Sequence, residues 1–219
     1  MVGIFLLPAL AANTAAEATS PVLNTLEVQK LVASGSPEDN ARLGAHFTAL
    51  ADKAAAEARQ HQTMSRAFGG NPARQLGTAM SVHCERLARL NIEAAATRRE
   101  LAAHHNRLAA GRRSIAPPDA ARYQSGKGAR VPAVNELSDL AAKASTPAEH
   151  RALEEYFVTL ARRFTTDANE HVALAQTYRG SRIAQAAVHH DRLAGLSRDS
   201  AKEATEAAEM HKDLAGSGR

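Results

Sequence analysis

Residues 80–110 read MSVHCERLARLNIEAAATRRELAAHHNRLAA, and residues 186–216 read AAVHHDRLAGLSRDSAKEATEAAEMHKDLAG. At an offset of 106 they agree at twelve of 31 positions, including His83/His189, Arg86/Arg192, Leu87/Leu193, Glu100/Glu206, His105/His211 and Leu108/Leu214. The stretch before each also repeats. At an offset of 110, residues 36–68 match residues 146–178 at seven of 33 positions, among them Pro37/Pro147, Leu43/Leu153, Phe47/Phe157, Leu50/Leu160 and His61/His171. The chain contains one unit twice.

Each unit reads as a helical hairpin. Ser36-Pro37 and Thr146-Pro147 pair a hydroxyl N-cap with proline at the first helical position, where no amide hydrogen is needed. The first long helix carries Leu43, Phe47, Leu50, Ala54, Ala58, His61, Met64 and Phe68 at spacings of three and four. Gly69-Gly70-Asn71-Pro72 stops it. The second carries Met80, His83, Leu87, Leu90, Ala94, Leu101, His105 and Leu108, and Gly111 ends it. In the second unit the stripes run His150, Leu153, Phe157, Leu160, Phe164, Ala168, His171, Leu174, Tyr178 and then His189, Leu193, Leu196, Ser200, Ala204, Ala207, His211, Leu214. Short amphipathic helices over Val22–Ala33 and Val134–Ala144 precede the two hairpins.

A hairpin with a single apolar stripe per helix cannot bury that stripe alone. Two hairpins packed together give an all-α, antiparallel four-helix bundle. The division predicted is a signal-like segment and linker over 1–21, one repeat over 22–111, a basic Pro/Gly linker over 112–132 and the second repeat over 133–216. With the linker joining the second long helix to the third, both tight turns are expected at one end. The tail from Gly216 is expected to be disordered.

Composition agrees with close helix packing: alanine dominates the apolar residues, tryptophan is absent and aromatics are 4% of the chain. The apolar run Val2–Leu10 followed by Ala9-Leu10-Ala11 has the form of an export signal, although no Lys or Arg precedes it. It is too short to span a bilayer. The expected location is the periplasm or the cell exterior. The single cysteine, Cys84, allows no internal disulfide; it could bridge to another chain or bind metal as thiolate, and a homodimer stays open. Net charge is +4, with Arg112, Arg113, Arg122, Lys127 and Arg130 in the linker facing one acid, Asp119. Without interleaved aromatics, those charges read as a solvated linker rather than a nucleic-acid surface.

Ten histidines carry the functional argument. His171 lies nine residues before Gly180 and His189 nine after, so the antiparallel pair places them level, about 13 Å below the turn. His61 and His83 are their counterparts. Assembled, His61, His83, His171 and His189 would form one metal-binding layer. The same reflection sets Asn40 opposite His105, and His150 opposite Met210 and His211. Cys84 and His190 are counterparts, a thiolate-for-imidazole exchange that zinc or copper tolerates. Glu57 and Asp167, each one helical turn before His61 and His171, could ligate or orient an imidazole. Met64 and Met80 suit a soft metal such as Cu(I).

Two other readings stay open. Stripe histidines can simply hold register, making the chain a structural or adaptor bundle for an envelope partner. Facing histidines could instead hold non-covalent haem in an electron carrier. The exposed member of His189-His190, together with His46 and His104, could be solvated. No Cys-x-x-Cys-His, ferritin-like Glu-x-x-His, phosphate-binding loop, nucleophile elbow or His-Glu-x-x-His is present, so the chain is read as non-enzymatic.

The pattern His83-Cys84-x-x-Leu87, Ala94-Ala95, Leu101-Ala102-x-x-His105-x-x-Leu108-Ala109 resembles a helical repeat of uncharacterised secreted bacterial proteins. Leu43, Phe47, His61 and Met64 look like its upstream half. The resemblance implies a bacterial envelope protein and brings no activity with it. The second copy departs from the pattern, with His190 in place of the cysteine.

Overall fold

The computed structural model describes residues 21–71, 74–111 and 134–217; the signal-like run and the basic linker charges lie outside them. Six α-helices make up the described chain: α1 Thr25–Ser34, α2 Pro37–Gly69, α3 Arg74–Ala109, α4 Val134–Lys143, α5 Pro147–Arg179 and α6 Ala187–Ser217. A 3₁₀ turn over Ala184–Ala186 leads into α6. The helix α6 continues through Ser217, two residues into the expected disordered tail.

Local chemistry sets the boundaries. The Ser36 side chain accepts from the Asp39 amide, and Thr146 forms a reciprocal capping box with Glu149; both helices have proline in the first turn. Asn24 and Glu27 box the start of α1, and Gly35 ends it at φ 62°, the left-handed region that favours glycine. Gly70 and Gly180 donate back into α2 and α5.

The long helices pair as two hairpins, α2 with α3 and α5 with α6, and α3 packs directly on α6. Alanines make that last contact close: Ala88, Ala94, Ala95 and Ala102 of α3 and Ala194, Ala204, Ala207 and Ala208 of α6 are all buried. On the other side of the bundle, Phe47, Phe68, Phe157, Phe164 and Tyr178 fill the space between α2 and α5. Each fully buried Leu or Phe here contributes about 1.5–3 kcal/mol.

The two tight turns lie at opposite ends of the bundle, not at the same end. One core cluster joins Met64, Phe68, Met80 and Cys84, near the first turn, to Leu153, Phe157, Ala204 and Ala207, near the open end of the second hairpin. The other joins Leu43, Phe47 and Leu101 to Leu174, Tyr178, Ala186 and Leu193. Packing explains the choice. Phe47 and Phe157 are counterparts near the open ends, so a same-end arrangement would crowd both into one layer. Head-to-tail packing gives each one a layer of its own. It also makes every neighbouring helix pair antiparallel, which opposes their dipoles. Residues 112–133 supply up to roughly 70 Å of reach, enough chain to return along helices of about 50 Å. The helix α4 then covers the first turn, where Asn71 donates to the carbonyls of Ala141 and Ala144. The helix α1 covers the second turn in the same way, through Val28, Leu31 and Val32.

Candidate metal centre

Head-to-tail packing disperses the expected layer of His61, His83, His171 and His189. The His83 Nδ1 atom on α3 lies 2.9 Å from a Glu203 carboxylate oxygen and 3.9 Å from one of Glu206, both on α6. His189 lies 3.3 Å from Glu100 of α3. His171 meets His190 rather than His189, Nδ1 to Nδ1 at 3.2 Å. His190 is the buried member of its pair and His189 the half-exposed one. The pairs His171–His190 and His150–His211 share one centre of reflection, between Gly180 and Ser181 rather than on Gly180, and one residue rotates a side chain by about 100°. His61 is 1% exposed and its Nδ1 has no hydrogen-bond partner.

The other candidates are placed as follows. Glu57 accepts from Arg163 at 2.7 Å, an inter-hairpin ion pair rather than a partner for His61. Asp167 is half-buried and lines a cavity of about 130 Å³ with His46, Phe47, Glu170 and His171. Cys84 is fully buried, which removes it from reach of a second chain. His46 is also buried rather than solvated, its Nδ1 accepting from the Leu23 amide at 3.0 Å.

Among the described residues one group has the chemistry of a metal centre: His83, Glu203 and Glu206, whose ligand atoms all lie within 4.8 Å of one another. The helix α6 places Glu203 and Glu206 three residues apart, on one face and toward α3. The His83 and Glu203 side chains are each 13% exposed, while Glu206 is 39% exposed, so the group sits at the rim of the α3–α6 seam. One imidazole and two carboxylates could hold a divalent ion, with water completing the shell. Two cations attend the carboxylates already: Arg86 at 3.2 Å from Glu203, and Lys202 at 3.8 Å from Glu206.

Two buried polar clusters occupy the ends of the core. At one end Asn40 Nδ2 donates to the Gly35 and Ser36 carbonyls, which leaves Asn40 Oδ1 to accept from His105 Nδ1 at 2.9 Å. His105 Nε2 must then be the acceptor for the Tyr178 hydroxyl at 2.8 Å. Tyr178 stacks on His190, ring centroids 4.8 Å apart. At the other end His150 and His211 meet Nδ1 to Nδ1 at 3.1 Å, as the reflection about the turn predicts. Burial holds His105 and His171 down to about 3 and His190 to about 2, with neighbouring cationic or imidazole groups adding to the effect. The same cause holds His61 and His211 at about 4. These rings are neutral at physiological pH.

The sequence reading missed Glu203, Glu206 and Arg86. The signal that could have found the first contacts was the repeat itself. His83/His189 and Glu100/Glu206 are identical pairs, and an antiparallel α3–α6 seam sets His83 against Glu206 and Glu100 against His189. Glu203 had no such signal, because its counterpart is Thr97. No protein-family model, curated protein or solved structure matches the chain.

Proposed function

We propose that the protein is an exported, non-enzymatic helical bundle that binds zinc through His83 Nδ1 and one carboxylate oxygen each of Glu203 and Glu206. The observation that carries this reading is the convergence of the three ligand atoms within 4.8 Å. Zinc accepts mixed nitrogen and oxygen ligands at about 2.0–2.2 Å and tolerates water in an open position. Two carboxylates offset its double charge. Export rests on the run Val2–Leu10 and the Ala9-Leu10-Ala11 site.

Elemental analysis and zinc titration of the mature protein, purified without an affinity tag, test the reading. The expected result is about one zinc per chain, with affinity falling roughly 10–100-fold or more in His83→Gln and Glu203→Gln. An unchanged affinity in both variants, or no retained zinc after incubation and dialysis, overturns it. A second reading is favoured by one observation, the Arg86–Glu203 contact at 3.2 Å. It makes the cluster an ion-pair network that locks the two hairpins in an adaptor bundle. In that case Arg86→Gln weakens the fold and leaves zinc uptake absent.

A further inference from the structure

We propose that the turn end of the first hairpin is a second and chemically different site, for a soft monovalent metal ion, with Cys84 Sγ, His61 Nδ1 and the thioethers of Met64 and Met80 as ligands. It shares no residue with the zinc reading and does not depend on it.

Three of these four residues carry sulfur, and all four are sealed in the core. Met64 and Cys84 are 0% exposed and Met80 and His61 are 1% exposed. Met64, Met80 and Cys84 belong to one contiguous buried cluster, with Phe68 and Leu87 around them. The α2–α3 register brings His61 to the same place. Ser65 meets Ser81 at 2.9 Å, so one turn further from the loop His61 comes opposite residues 84 and 85. Glu85 of that pair points outward and bonds Ser65, which leaves Cys84 as the residue facing inward. The second hairpin shows the outcome of this register directly, since the counterparts of His61 and Cys84 are His171 and His190, in contact at 3.2 Å.

A buried cysteine and two methionines are by themselves ordinary packing residues. What packing does not account for is the orphaned Nδ1 of His61, a buried polar atom with no hydrogen-bond partner. A metal ion coordinated from the same side would satisfy it. Among the described residues the sulfur is also concentrated at this end: the counterparts of Met64, Met80 and Cys84 are Leu174, Ala186 and His190.

Charge selects the ion. Binding breaks the Sγ–H bond, forms an Sγ–metal bond and releases the proton to solvent, with no change in oxidation state. A monovalent ion with one thiolate is neutral and suits an apolar core, whereas a divalent ion would leave an uncompensated positive charge there. Thioether and thiolate ligands favour Cu(I) over harder ions. Burial pushes the Cys84 thiol up to about 12, so affinity rises with pH as metal and proton compete.

The probe is Ag(I), a redox-inert stand-in for Cu(I), titrated calorimetrically into the full chain in chloride-free buffers of different ionisation enthalpy. The parent is expected to take up about one ion per chain and release about one proton. Met64→Leu/Met80→Leu conserves volume and keeps the fold, and its affinity is expected to fall roughly tenfold or more. Cys84→Ala is expected to lose the proton release together with the site, while His83→Gln retains both. The proposal is overturned if a folded Cys84→Ala binds Ag(I) as the parent does, or if the parent takes up no stoichiometric ion. Parent-like binding in the leucine double variant overturns it also, and that variant decides the matter if Cys84→Ala does not fold.

Discussion

Acidification should unfold this bundle well before its carboxylates titrate. His46, His61, His105, His171, His190 and His211 are each held at about 4 or below, burial being the largest cause in every case. Arg98 adds to the effect at His46 and His171, and Arg163 at His61. In the unfolded chain a histidine titrates near 6.5. The folded values are depressed, so the unfolded state binds more protons as pH falls, and stability is lost from about pH 6.5 downward until the folded values are reached. Each ring kept neutral in the fold loses about 1.4 kcal/mol between about pH 7.5 and about pH 5.5. All six together set an upper limit of about 8 kcal/mol, comparable with the entire stability of a typical domain, about 5–15 kcal/mol. Urea denaturation followed by far-UV circular dichroism at the two pH values measures the difference. We expect the midpoint to fall by half or more. A midpoint that does not move, with unchanged slope, would refute the claim that these imidazoles stay neutral inside the fold. Asp39 and Glu149 cannot imitate the effect. Hydrogen bonds to Ser34 and Ser36 lower Asp39, and bonds from the Ser145 and Thr146 amides lower Glu149, so their contribution is lost only at more acidic pH.

Tyr178→Phe should cost about 1–3 kcal/mol in the same denaturation experiment, because it leaves His105 Nε2 buried without its 2.8 Å donor. Replacing His105 by leucine as well should not recover that loss, since the buried Asn40 Oδ1 then loses its own donor, His105 Nδ1. Thr146→Ala should lower stability by about 1 kcal/mol through loss of the cap on the Glu149 amide, and Thr146→Ser should be nearly silent.

The helices were legible because their ends are chemically marked. Ser36-Pro37, Thr146-Pro147, Gly70 and Gly180 each act within one turn of chain and need no tertiary context. The inward positions of Leu43, Phe47, Leu153 and Phe157 followed from period alone, and all four are fully buried. The facing pairs Asn40–His105 and His150–His211 were legible too, since reflection about a turn is a local operation. Between His189 and His190 the same operation failed. An apolar stripe is about 100° wide, as large as the rotation between neighbours, so setting the centre of the turn on Gly180 instead of between Gly180 and Ser181 exchanged the inner ring for the outer one. The relative direction of the hairpins was not legible either. It depends on how the bulk of Phe47 and Phe157 is shared between two layers, and no single hairpin encodes that.

Head-to-tail packing of two copies has a chemical consequence that neither copy shows alone. It builds every site twice, related by the pseudo-twofold of the bundle, and the substitutions between copies then decide what each version can do. On the α3–α6 seam, His83 with Glu206 is mirrored by Glu100 with His189. Glu203 completes the first group, but its counterpart Thr97 is buried and spends its hydroxyl on the Glu93 carbonyl, so the second group has two ligands and no third. In the core, a Tyr178–His105 bond stands at one end where the other has Phe68 and His211, in ring contact only. His190 stands where the other end has Cys84. Sulfur stands only in the first copy at these buried positions: Met64, Met80 and Cys84 surround the first turn, where the second turn has Leu174, Ala186 and His190. A bundle selected only for packing has no reason to gather sulfur at one turn, because Leu174 and Met64 fill similar volumes. Adjacent residues of α3 thus serve unlike donor sets, His83 with the carboxylates at the rim of the seam and Cys84 with the thioethers in the core, and the zinc and silver titrations address the two independently.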